Sequence, residues 1–187
     1  QQLKLLGVSP YAPQVLFCNV PIRGLNDLKG KTVRTVTRSQ SDLMEALGAK
    51  AATIAFNDVL AALKKKKIAC AVAGPMTAYT GKWYTATTHI YALPIGWNQE
   101  VHAVNQGVWS QLDPKVQSFL SQNINVLTDQ LWSFSASQTQ IAYDCLTDSK
   151  ACKLNPRGKL VLVRPTPADL NAVKKIAAQK VTSKWAS

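Results

Sequence analysis

The chain has 187 residues, 47% of them hydrophobic and 17% charged, which allows one sizeable core or two small lobes and is too apolar for a disordered polymer. No stretch approaches the ~18 consecutive apolar residues of a membrane span, and the first residues lack the charged, apolar and small-residue sections of a secretory signal, so any export signal is expected to have been removed. Lys and Arg number 22 against 10 Asp and Glu, a net charge of +12 that favours anionic partners: a nucleic acid, an acidic membrane surface or a small carboxylate.

In chain order, Pro13 to Cys18 reads as a buried strand, and Pro21 to Gly30 then punctuates the chain with glycines and a proline. Lys31 to Thr37 is short and β-branched and predicts a strand. Ser39 or Ser41 can cap the next helix, which carries Leu43, Ala46 and Leu47 and ends at Gly48. Ala52 to Phe56 is expected as a strand, Asn57 as the cap of a helix through Val59, Leu60 and Leu63, and Ile68 to Gly74 as an apolar strand. Lys64 to Lys67 lie at that second helix's C-terminus, where cations complement the macrodipole. This alternation predicts a parallel α/β sheet with ligands at the carboxyl ends of its strands.

The second half differs. His89 to Trp97 is extended, Val101 to Asn105 is a short strand, and Asp113-Pro114 is a helix start with Asp as N-cap and Pro at the first position. Val116, Leu120, Leu127, Leu131, Phe134 and Ile141 keep near-helical spacing, which predicts one long helix of about 30 residues. Lys159 to Arg164 reads as a strand. Thr166-Pro-Ala-Asp169 matches a capping box with Asp in place of Glu, opening a terminal amphipathic helix with Leu170, Val173, Ile176 and Trp185.

The chemistry is sparse. Cys18, Cys70, Cys145 and Cys152 contain no CxxC pair, and with only His89 and His102 beside them there is no ligand set for a structural metal. Disulfides are the better reading, and four cysteines allow three pairings. Cys145 and Cys152 bracket a polar turn and could close a short loop worth roughly 2.5 kcal/mol, which would place the protein in an oxidising compartment. For nucleophilic catalysis only Cys70 with His89 merits naming, and no Gly-x-Ser-x-Gly elbow, phosphate loop, Gly-x-Gly-x-x-Gly or His-Glu-x-x-His is present. Glu45 and Glu100 are the only glutamates, so the expectation is a protein without catalytic activity or cofactor.

Binding fares better. Arg34 lies in or at the end of an apolar strand, Arg38 follows four residues on, and a helix N-terminus comes directly after. A guanidinium at the carboxyl end of a parallel sheet can grip a carboxylate bidentately, and free helix amides add anion affinity. The competing reading has Arg34 snorkelling to water or paired with a carboxylate such as Asp58. Trp83, Trp97, Trp109 and Trp132 could line an aromatic pocket, although such tryptophans are more often core, Trp97 excepted. Only 5 of the 22 cations are Arg and the lysines run from Lys4 to Lys184, so no nucleic acid is expected.

Several motifs together resemble a known family. Pro21-Ile-Arg-Gly-Leu-Asn-Asp-Leu-Lys-Gly-Lys-Thr-Val-Arg34, Ala46-Leu-Gly-Ala49, Thr53 to Leu63, Ile68 to Gly74, Lys82 to Trp97 and Leu112-Asp-Pro-Lys-Val-Gln117 resemble the DctP-like solute-binding proteins of tripartite ATP-independent periplasmic (TRAP) transporters. A cysteine-containing branch is most similar, and it implies Cys18 bonded to Cys70 and Cys145 to Cys152. The resemblance implies a periplasmic-binding-protein-like α/β lobe, hinge strands, a long bracing helix, and a second lobe that is incomplete here. It divides the chain into 1–20, a remnant of the first lobe with a hinge strand; 21–95, the lobe carrying Arg34; 96–158, hinge strand, first-lobe return and long helix; and 159–187, a C-terminal strand and helix. The implied function is periplasmic capture of a small organic acid for a membrane permease. Arg34 falls on the family's carboxylate-binding arginine, with Arg38, Thr77 and Trp97 as wall residues; Thr77 is the residue of Ala71 to Thr77 that keeps a hydroxyl. The alternative reading is a stand-alone basic interaction domain built on the same fold, binding a polyanion or a protein.

Overall fold

A computed structural model describes residues 2–185. Its main sheet has six strands in the order β4-β3-β5-β2-β6-β8: β2 (Gln14–Cys18), β3 (Thr32–Thr35), β4 (Lys50–Thr53), β5 (Cys70–Ala73), β6 (His89–Gly96) and β8 (Val161–Val163). β3 pairs in parallel with β4 and β5, as the alternation predicts, while β2 runs antiparallel between β5 and β6. Successive residues of a strand face opposite sides, so the sheet is covered twice. On one face Leu16, Val72, Leu93 and Ile95 pack with Leu43 and Met44 of α1 (Arg38–Ala46) and Val173 of α6 (Pro167–Ile176). On the other, Val15, Phe17, Ala71 and Ile90 meet Val59 and Leu63 of α2 (Phe56–Lys64), Ala78 of α3 (Pro75–Thr80), and Ala142 and Leu146 of α5 (Pro114–Leu146). Trp83, 1% exposed, fills the second core between Phe17 and Phe56.

A separate two-stranded sheet pairs β1 (Leu3–Pro10) antiparallel with β7 (Gln99–Asn105), followed by the short α4 (Gln106–Ser110). The 33-residue α5, capped by the Asp113 carboxylate with Pro114 at its first position, braces the two sheets. Its C-terminal turns enter the second core, and its middle lies on β1, where a Cβ on Gly7 would come within 2.7 Å of Thr128 Oγ1.

Local corrections have physical causes. Thr37, rather than Ser39 or Ser41, caps α1, its hydroxyl accepting from Gln40 N–H. α2 starts at Phe56 with Ala55 before it, so Asn57 is inside the helix instead of capping it. Gly48, at φ +82°, ends α1 in the left-handed turn that suits glycine. Leu170 and Trp185, expected on the buried side of the last helix, are exposed, because Val173 and Ile176 supply its packing face. The Thr166–Asp169 capping box is present.

Both disulfides are formed as the family resemblance implies. Cys18 and Cys70 are directly opposite on β2 and β5, and the Asn19 N–H bond to Ala69 O beside them marks a non-hydrogen-bonded pair, where side chains approach most closely. No helix among the described residues is long and apolar enough to cross a membrane.

Candidate ligand site at the carboxyl edge of the sheet

β3 carries Arg34 between Ala52 of β4 and Ala71 of β5, and these small neighbours leave room for a long side chain on the α2/α3 face. Arg34 is 5% exposed. Its Nε donates to Ile54 O at 2.9 Å, just past the end of β4, and its Nη1 to Val72 O at 3.1 Å on β5. A guanidinium has five N–H groups, and no carboxylate of the described residues pairs with this one, Asp58 included. Burial pulls its pKa below the ordinary arginine value. A buried cation held only by carbonyl oxygens is costly, and an arriving anion offsets that cost.

Two residues beyond Val72, Gly74 and then Thr77 enter the wall of a cavity of about 280 Å³. Ser9, Tyr11 and Gln14 close it from the crossing between β1 and β2, Glu100 from β7, and Leu131 and Phe134 from α5. Its lining is mostly apolar, with one ionisable carboxylate, Glu100. Beside it, a hollow of about 320 Å³ contains Trp97, Thr37, Ser39 and Gln40. A buried side-chain hydrogen bond from Gln40 Nε2 to Gln14 Oε1 separates the two, and Gln40 Oε1 in turn accepts from Val36 N–H. Gln14 thus reaches the first space and Gln40 the second.

The four sequence candidates therefore do not line one chamber, and Arg34, buried on its bonds to Ile54 O and Val72 O, is in the wall of none of these hollows. Thr77 is exposed in the first cavity, Trp97 is 61% exposed in the second, and Arg38 extends into solvent over a third hollow with Ser41 and Glu45. Arg38 Nε lies 3.3 Å from Asp42 Oδ1, and Asp42 also receives Lys184 Nζ at 3.1 Å. The Lys184 hydrogen bond, with help from Arg38, holds the Asp42 carboxyl below the usual carboxylate range. Gln14, Gln40, Glu100 and Phe134 were not singled out from sequence as ligand residues, since they come from four remote elements that only the tertiary fold assembles.

Other sequence candidates resolve on geometry. Cys70 is in a disulfide and offers no nucleophile to His89. Trp83 and Trp109 are buried at 1% and 7%, whereas Trp132 is 54% exposed, its Nε1 donating to Val8 O. Ser9, 2% exposed, lies 2.9 Å from His102 Nε2, yet no described carboxylate hydrogen-bonds that imidazole to orient it as a base. No cluster of three or more His, Cys, Asp or Glu suited to a metal occurs among the described residues.

Among curated sequences none matches this chain. Solved structures match its fold throughout. A TRAP periplasmic solute-binding protein of Desulfovibrio salexigens, with bound orotic acid, aligns over 98% of this chain with a TM-score of 0.83 and 16% identity. An extracytoplasmic solute receptor of Bordetella pertussis that binds pyroglutamic acid gives 0.81 and 20% over 98% of the chain. The ectoine-binding protein of the TeaABC TRAP transporter, in its apo state, gives 0.85 and 17% over 97%. This chain spans 56%, 57% and 58% of those three chains. The family model for bacterial extracellular solute-binding proteins, family 7, matches residues 1–186, and the chain therefore belongs to that family, the DctP family.

Proposed function

We propose that this chain captures a small organic acid in the periplasm and delivers it to a membrane permease, acting as a binding protein without catalysis. The observation that carries the reading is Arg34, a buried guanidinium at the carboxyl edge of a parallel sheet with two N–H groups fixed by backbone and no carboxylate partner. Arg34 holds the ligand's carboxylate. Thr77 and Trp97 contribute walls on either side of the Gln14–Gln40 bridge, and Arg38 adds positive potential at the rim. Solved relatives of this fold contain orotic acid, pyroglutamic acid or succinate, which supports a carboxylate ligand. In this reading β1, β7 and the middle of α5 belong to the first lobe, and the ligand is held between it and the lobe carrying Arg34.

The test is thermal. A small carboxylate that binds the native state raises its melting temperature by mass action, by an amount that grows with concentration. A panel of monocarboxylates, dicarboxylates and cyclic acids at millimolar concentration should contain at least one that does so, while matched uncharged amides do not. A flat response to the whole panel contradicts the reading.

A further inference from the structure

The pairings fix which strand ends share an edge. β3, β4 and β5 run together, β2 runs against both β5 and β6, and β8 runs with β6, so the amino ends of five strands lie along one edge of the sheet. The stretches directly before those strands carry Lys29, Lys31, Lys50, Lys64 to Lys67, Arg157 and Lys159; the carboxylates in the same loops are Asp27, whose Oδ2 accepts from Arg23 N–H, and Asp148, 3.8 Å from Arg157. Lys50 N–H donates to Lys31 O and Ala69 N–H to Thr32 O, both at 2.8 Å, so three of these groups sit on neighbouring strands about 5 Å apart. Lys31 is half-buried, the other seven lysines are exposed, and none of the eight makes an ion pair among the described residues. Helix-end electrostatics accounts for Lys64 on α2; it does not account for Lys31, Lys50 or Lys159. Both edges hold carboxylates; the amino edge differs in its excess of lysines without ion pairs, whereas at the carboxyl edge Arg38 is set against Asp42, and Asp58 lies in the first turn of α2.

We propose that this amino edge is a docking face for an anionic lipid surface, which goes beyond ligand capture. Lysine gives diffuse attraction to a sheet of charge, where arginine would give bidentate recognition of single groups. The stretches carrying these lysines contain no Phe, Tyr or Trp for stacking on bases, Trp83 before β6 is buried and Tyr84 is stacked on Tyr79, and no long helix or ribbon projects from the edge to enter a groove, so it suits a broad charged plane better than nucleic acid. Two disulfides place the protein in an oxidising compartment, where lipid headgroups are an extended polyanion at hand. Docked this way, the protein turns its carboxyl edge, and Arg34 with it, toward solution.

The experiment is co-sedimentation with vesicles of phosphatidylcholine alone or with about a third phosphatidylglycerol. The wild type should sediment with the anionic vesicles only and be released by about 0.5 M salt. A variant with Lys64, Lys65, Lys66 and Lys67 all changed to Gln should lose about a hundredfold or more in affinity, since each lysine near an anionic surface is worth roughly a fivefold factor. A second variant with the same net charge, Lys115, Lys174, Lys175 and Lys180 all changed to Gln, should lose much less. Equal loss in both variants would mean that net charge alone is read, and would overturn the proposal. So would absence of binding to anionic vesicles, or tighter binding to duplex DNA with the same dependence on Lys64 to Lys67.

Discussion

The two sheets of this molecule contain similar apolar residues and treat them differently. Every residue of β2 and of β5 is buried, because helices cover both faces of the six-stranded sheet. In β1, Leu3 and Leu5 are 62% and 56% exposed, and Val101 of β7 is 61% exposed. Among the described residues, 10 of the 18 exposed large hydrophobics lie on β1, β7, α4 and α5, so these elements carry most of the uncovered apolar surface. Apolar composition makes a strand; burial needs a second layer, and the two-stranded sheet has α5 on one face alone.

That contrast should appear most strongly in truncations. Trp83→Ala opens a cavity among Phe17, Phe56 and the α5 end, and should cost about 3–5 kcal/mol by denaturant unfolding. Phe119→Ala, at a site 64% exposed on α5, should stay within about 0.5 kcal/mol. A comparable loss at Phe119 would show that its face is covered in solution. The disulfides sharpen the same point inside the folded lobe. On loop-closure entropy, removing Cys18–Cys70, separated by 52 residues, should cost about 4 kcal/mol, and removing Cys145–Cys152, separated by 7, about 2.5 kcal/mol. Paired Cys→Ala variants compared by chemical denaturation would test the order.

The smallest effect concerns the C-terminal turns. Asp42 on α1 is held below its ordinary pKa of 3.8 first by the Lys184 hydrogen bond and then by Arg38. A depressed carboxyl stabilises fully above its unfolded pKa, and the contribution is lost as pH falls through the lowered folded value. Hydrogen exchange in residues 177–185 should therefore quicken below about pH 4 relative to the rest of the lobe. Lys184→Gln should remove most of that difference; an unchanged pH response in the variant would assign it elsewhere.

Much of the six-stranded lobe was legible because its elements announce themselves locally. The β-branched run ending near Thr37, the lysines closing α2 and the Asp113-Pro114 start each state a boundary within a few residues. β1 was illegible. Its register shifts between Leu5 and Gly7, which breaks the alternation, and its partner β7 is remote in the chain. α3 is six residues long, too short to show a period. In the site, Arg34 stood out as a charge inside an apolar strand, whereas Gln14 and Gln40 look ordinary until the fold brings elements 26 residues apart into a buried hydrogen bond.

The central claim is that Arg34 grips the ligand's carboxylate, and calorimetric titration tests it most directly. With the best carboxylate from the panel, Arg34→Ala should weaken binding by about 2–5 kcal/mol, because the ligand's anion loses a desolvated bidentate partner. Arg34→Lys keeps the charge without the fork and should fall between the two. Trp185→Ala, at a site 81% exposed, should bind like the wild type, and circular dichroism should show all three variants folded. Unchanged affinity in a folded Arg34→Ala protein would contradict the assignment.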